Sequence, residues 1–169
     1  MKRRRPSVRF TTLAVDLSRV ACLVVGGGTV ATRKVRTLVA GGARVTVVSP
    51  AVAPWIAALA RRGLIALRRR PYAGTDVLGQ RIVVAATDDP ALNDRVGRAA
   101  DRSGALACVA SSARHSRLIF PAVVRHGRVT VAVHTGGRSP ALSRTVRNAI
   151  SAGWGTRRRV PPGRVGRPA

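Results

Sequence analysis

Apolar positions along the chain follow two alternating patterns. Largely apolar runs at 20–25 (VACLVV), 44–48 (RVTVV), 64–68 (LIALR), 81–86 (RIVVAA) and 105–110 (ALACVA) have the length and the branched side chains of buried strands. Between them apolar residues recur at helical spacing: Val30, Val35, Leu38 and Val39 in 29–40, Ile56, Leu59 and Ala60 in 52–62, and a third segment at 90–102. Gly41-Gly42 and Gly63 stop two of these segments, Pro50 ends a strand, and Pro90 sits near a helix start, where its missing N–H costs nothing. Strands alternating with helices in this way predict a parallel α/β sheet.

After residue 110 the rhythm changes. Segments 118–124 (LIFPAVV) and 128–133 (RVTVAV) read as strands joined through His126-Gly127, a link short enough for an antiparallel hairpin. A helix to about residue 151 then follows, with Ser139 as N-cap and Pro140 as its first residue. Residues 1–9 and everything from Gly153 onward lack apolar periodicity and read as disordered basic arms. The expected organisation is an arm at 1–9, an α/β domain at 10–113, a hairpin-and-helix region at 114–152 and a tail at 153–169.

Composition narrows the chemistry. Thirty-one Lys+Arg stand against six acids, a net charge of +25, and all six acids are aspartates. Paired-glutamate catalysis is therefore excluded, and a carboxylate-rich metal cage finds too few ligands. Two cysteines are too few for a disulfide scaffold or a zinc cluster. Cys22 and Cys108 each lie in an apolar run, as buried free thiols do in a reducing compartment. Ten of the charges lie in the two arms; the other fifteen are spread over the body, which suits a polyanionic partner. No apolar run approaches the ~20 residues of a membrane span. The basic start is followed by Asp16 and Arg19, so it reads as neither a signal peptide nor a lipid anchor, and a cytoplasmic protein is expected.

The sharpest local signal is Gly26-Gly27-Gly28-Thr29-Val30-Ala31, which fits G-x-G-x-x-A between a strand and a helix. Gly26 permits the tight turn, Gly28 lets backbone approach a pyrophosphate, and Ala31 lets helix and sheet pack closely. The helix N-terminus beyond offers free N–H groups to phosphates. The acid that often contacts the ribose at the end of the second strand is absent; Ser49-Pro50 stands there. Arg33 and Lys34 could favour an extra phosphate or could simply be solvated. Thr87-Asp88-Asp89 follows a strand end, where open α/β sheets bind ligands, while Asp88 or Asp89 could equally cap the next helix.

Four motifs in order, LVVGGGTVATRKVRTLVAGGARVTVVSP (23–50), AATDDPALNDRV (85–96), IFPAVV (119–124) and HTGGRSPALSRTVR (134–147), resemble the precorrin-2 dehydrogenase / sirohydrochlorin ferrochelatase family, the siroheme synthase N-terminal module. The resemblance covers about residues 11–150. It implies a Rossmann-type domain, a small dimerisation region and NAD-linked oxidation of precorrin-2 to sirohydrochlorin. The substrate carries eight carboxylates, which an Arg-lined cleft would suit. Carried onto this sequence, the resemblance makes Gly26, Gly28, Thr29 and Val30 cofactor contacts. It puts Ser49 and Pro50 near the adenosine and Thr87 and Asp88 at the cleft mouth. Thr135, Gly136, Gly137 and Arg138 would approach the substrate, their N–H groups forming a carboxylate nest, with Arg144 and Arg147 nearby.

One departure bears on chemistry. The family's N-V-V-D stretch corresponds, counting back from IFPA, to Cys108-Val109-Ala110-Ser111, so Ser111 replaces the acid that would act as general base and handle metal. Serine needs an activating partner to accept a proton near neutral pH. His115 in the same loop could take that role. Metal insertion is therefore in doubt, and no metal site is expected. Two rivals stay open. One is a degenerate member that binds NAD or tetrapyrrole without turnover, which Ser111 favours. The other is nucleic-acid binding through the arms, against which the scarcity of aromatic residues speaks.

Overall fold

The structure, a computed structural model, describes residues 10–112 and 115–155. The arm expected at 1–9 and the tail from 156 onward lie outside the described residues. The chain divides into two compact units, Met1–Phe120 and Pro121–Ala169.

The first unit runs β1 (Ala21–Val25), α1 (Thr29–Ala40), β2 (Arg44–Val48), α2 (Pro54–Arg61), β3 (Ala66–Arg68), a 3-10 helix at Gly74–Val77, β4 (Ile82–Ala85), α3 (Pro90–Arg102) and β5 (Leu106–Val109). All five strands pair in parallel in the order β3-β2-β1-β4-β5. This is a Rossmann-type sheet. The order reverses between β1 and β4, which opens a crevice at the carboxyl ends of those strands. The pleat sends alternate residues to opposite faces. Cys22, Val24, Val45, Val47, Ile82 and Val84 pack with Val35, Leu38, Ile56 and Leu59 under α1 and α2. Leu23, Val25, Val48, Val83 and Ala85 pack with Val77, Val96 and Ala100 under α3 and the 3-10 helix. Both cysteines are buried free thiols, and burial pushes Cys22 up to about 11.

In the second unit β6 (Ala122–His126) and β7 (Val129–Val133) pair antiparallel, and α4 (Pro140–Gly155) follows. The connection is the two-residue Gly127-Arg128, with Gly127 at φ 56°. Ser139 caps α4, its Oγ accepting from Leu142 N–H at 3.1 Å. Among the described residues no helix is long and apolar enough to cross a membrane.

The structure departs from the expected elements at five points. The strand expected at 118–124 begins only at Ala122, because Pro121 has no N–H to give a ladder. Arg117 and Leu118 instead donate their amides to Ala107 O at 2.8 and 2.9 Å, so residues 115–120, expected in the second region, hold to the first unit. The last helix does not stop near 151: it runs to Gly155, and the Trp154 ring stacks on His126 at 5.5 Å. The 3-10 helix at 74–77 was not anticipated. Lys34 is not simply solvated; it is half-buried with Nζ 4.2 Å over the Phe120 ring, and burial lowers its pKa.

Candidate functional site

The turn after β1 is fixed by backbone. Gly26 donates to Val48 O at 3.0 Å, Ala86 donates to Val25 O at 2.8 Å, and Ala53 donates to Gly27 O at 2.8 Å. Gly26 sits at φ 116°, where only glycine is comfortable, and a Cβ there would collide with the Ala86 carbonyl. A Cβ on Gly27 would strike the Ala51 carbonyl and lie 2.7 Å from Val52 Cα. Gly28 differs: a Cβ there would meet nothing within 4 Å. Two crowded glycines thus press the turn against the sheet, and the third opens onto free space. Gly28 is the N-cap of α1 and makes no side-chain cap hydrogen bond, so the amides of the first turn are available to an anion. This cradle fits the pyrophosphate of a dinucleotide.

At the end of β2, Ser49 is buried. Its hydroxyl donates to Ala51 O at 2.6 Å and its amide to Arg68 O at 3.1 Å. The Ser49 proton is therefore spent within the loop, and what remains for a ribose is acceptor capacity. Pro50 is exposed beside it.

At the end of β4, Asn93 of α3 organises the loop. Its Oδ1 accepts from Thr87 N–H at 3.0 Å and from Thr87 Oγ1 at 2.9 Å, while its Nδ2 donates to Thr87 O at 2.9 Å. The same Nδ2 reaches Ser111 Oγ beyond β5 at 3.4 Å. Asn93 is 1% exposed, and one buried amide so links two strand-end loops. Asp89 caps α3, accepting from Ala91 and Leu92 amides at 2.8 and 3.1 Å. Asp88 is exposed.

Past β5, Ser116 fixes the loop from inside. Its Oγ accepts from Val109 N–H at 2.9 Å and donates to Ser112 O at 2.9 Å. Ser111 is exposed and its recorded partner is the donor Nδ2 of Asn93, not a base. His115 packs its Cβ 3.7 Å from where a Cβ of Gly97 would lie. Gly97 follows Asn93 by four residues on α3, so Ser111 and His115 abut the same helix face one turn apart.

In the second unit Thr135 Oγ1 accepts from Ser139 N–H at 2.8 Å and donates to Ser139 O at 3.0 Å. Gly136 and Gly137 both take positive φ, at 62° and 79°. The Gly136 amide turns to His134 Nδ1 at 3.1 Å and that of Arg138 to Thr135 O at 3.2 Å. Two amides of the expected nest are thus engaged within the turn itself.

Comparison with known proteins gives this geometry a family. The NAD(P)-binding family model NAD_binding_7 matches residues 13–122. A solved structure of SirC, precorrin-2 dehydrogenase, superposes with a TM-score of 0.77 at 33% identity, covering 85% of this chain and 71% of that one. The chain belongs to the precorrin-2 dehydrogenase family. Siroheme synthase of Methylococcus capsulatus is 43% identical over 141 residues, covering 83% of this chain and 30% of that protein. Siroheme synthase of Chromobacterium violaceum is 41% identical over 152 residues, covering 88% and 32% respectively. The chain therefore spans about a third of the length of the curated relatives it matches.

Within this precorrin-2 dehydrogenase-family chain, the residue that sequence reading passed over is Asn93. Its signal was the polar asparagine in the otherwise regular helix 90–102, four positions after Asp89. Thr87 and Ser111 lie 24 positions apart in sequence and carry no local sign of the amide that joins them.

Proposed function

We propose that this chain oxidises precorrin-2 to sirohydrochlorin, with NAD rather than NADP as the bound dinucleotide, as a cytoplasmic homodimer. The observation that carries the reading is the β1–α1 cradle, whose two crowded glycines set an open third one at a bare helix N-terminus. The reaction removes a hydride and a proton from the tetrapyrrole, and the nicotinamide, when bound, supplies the hydride acceptor. The amides of Thr29 and Val30 would hold the pyrophosphate, and Ser49 and Pro50 would border the ribose. Thr87 and Asp88 border the crevice at the β4 end, and positioning there does most of the catalytic work. His115 is assigned the proton that leaves the substrate, with Ser111 beside it. The second unit offers Thr135, Gly136, Gly137 and Arg138 to substrate carboxylates.

Metal insertion is assigned low or no activity, because the position of the family's acid holds Ser111, whose partner is an amide donor. The same observation favours a second reading, a degenerate member that binds dinucleotide or tetrapyrrole without turnover. Anaerobic turnover decides between them. Enzymatically generated precorrin-2 is supplied with NAD or NADP, and tetrapyrrole and reduced-nicotinamide absorbance are followed before and after ferrous ion is added. The expected result is NAD-dependent sirohydrochlorin formation, slowed about tenfold or more in His115→Ala, with no further change on adding metal. Dinucleotide binding without turnover would establish the degenerate reading. A metal-dependent change would restore the chelatase.

A further inference from the structure

Away from the glycine cradle, on the sheet face that α1 and α2 do not cover, α3 and the 3-10 helix border a cleft of about 350 Å³. It is lined by Tyr72, Gly74, Arg95, Arg98, Ala99 and Arg102. The three arginines stand at i, i+3 and i+7 of α3, a single stripe about 10 Å long at 1.5 Å per residue. Like charges at this spacing repel one another. Among the described residues the recorded ion pairs are Arg68 and Arg70 with Asp76, and Arg117 with Asp101. None involves the stripe.

The carboxylate that could neutralise the cleft is already committed. Asp76 accepts from Arg70 and Arg68 and from Ala73 N–H at 2.9 Å. On α3 itself Asp101 turns to Arg117, and Asp94 does not line the cleft. Tyr72 lines the cleft with its hydroxyl buried beneath the surface. The three arginines are exposed and, among the described residues, none pairs with a carboxylate.

We propose that this cleft is an oligophosphate-binding site, separate from the dinucleotide cradle. One carboxylate offers two oxygens and one charge, too few for three guanidinium forks. A chain of linked phosphates offers several charged oxygens along the length of the stripe, and the arginine fork matches each of them. The proposal concerns binding alone, and only the use of NADH to fill the cradle rests on the dinucleotide reading.

The test uses the full chain saturated with NADH, so that the cradle is filled, and isothermal titration with tripolyphosphate at matched ionic strength. Binding is expected, and the combined variant Arg95→Gln, Arg98→Gln, Arg102→Gln should weaken it by about tenfold or more. A control with Arg61→Gln, Arg62→Gln and Arg81→Gln should stay within about twofold. Arg98→Gln alone, at the middle of the stripe, should weaken binding about threefold or more and decides the matter if the triple variant fails to fold. The proposal is overturned by absence of binding, by equal loss in the two triple variants, or by no effect of Arg98→Gln. It is also overturned if a single-stranded oligonucleotide binds through the α3 arginines and tripolyphosphate cannot displace it.

Discussion

The turns after β1 and β5 leave the same end of the same sheet, yet they are held by different means. The β1 turn is built of backbone: three glycines, three main-chain hydrogen bonds and two carbonyls that leave no room for a Cβ. The β5 loop is built of side chains, with Ser116 pinning it from within and Asn93 reaching across from α3. A backbone-built turn tolerates almost no change at its crowded positions, and it presents the same amides whatever surrounds it. A side-chain-built loop can exchange one polar residue for another without losing its path. That is the physical setting of Ser111, at the position where the family resemblance implies an acid.

The comparison breaks first at Gly26. Gly26→Ala should cost about 3 kcal/mol or more, combining positive φ with a carbonyl collision, and should abolish NADH binding measured by fluorescence titration. If the variant unfolds and binds like the parent chain, the steric account of the turn is wrong. Next is Asn93→Ala. Orphaning the Thr87 amide and carbonyl inside the protein should cost about 2–4 kcal/mol in urea unfolding. Asn93→Asp keeps the acceptor for the Thr87 amide but loses the donor to both Thr87 O and Ser111 and buries a carboxylate, so its effect should be at least as large at neutral pH.

Asp76 offers a control outside both loops. Its two arginines hold its carboxyl at about 2, against 3.8 when unperturbed. Its folded pKa is lowered, so its contribution is fully present above the unfolded value and vanishes as pH falls toward 2. Asp76→Asn should therefore cost about 2 kcal/mol at pH 7 and nothing near pH 2, read from denaturant curves across that range. The smallest effect on stability belongs to Gly28→Ala, within about 1 kcal/mol, because nothing fills the space beyond it. Its NADH affinity should nonetheless fall about tenfold. Stability and affinity parting in this way at Gly28, but not at Gly26, would sharpen the contrast between a glycine kept for the fold and one kept for the ligand.

What could be read from the sequence follows the same division. The five strands, α1, α3 and the glycine turn were legible because each depends on neighbours a few residues away: an apolar run, a cap such as Asp89, a glycine at a fixed offset. Asn93 was not, since its meaning lies in Ser111, eighteen positions on. Lys34 stayed open between phosphate and solvent for the same reason, its partner being Phe120. The end of α4 escaped because Gly153 and Gly155 look like a tail until Trp154 finds His126. Pro121 was visible in the sequence, and its missing N–H should have marked the start of β6.

The two borders of the parallel sheet carry a further consequence. On one side β3 is three residues long and runs directly into Arg68, Arg69 and Arg70. On the other, Ala107 O of β5 is already taken by the amides of Arg117 and Leu118. Neither border offers a long row of unpaired, uncharged backbone, so another chain has nothing to add itself to. A net charge of +25 adds mutual repulsion between copies. Here the sheet should stay closed to strand-by-strand growth even at concentrations where its newly made copies crowd one another.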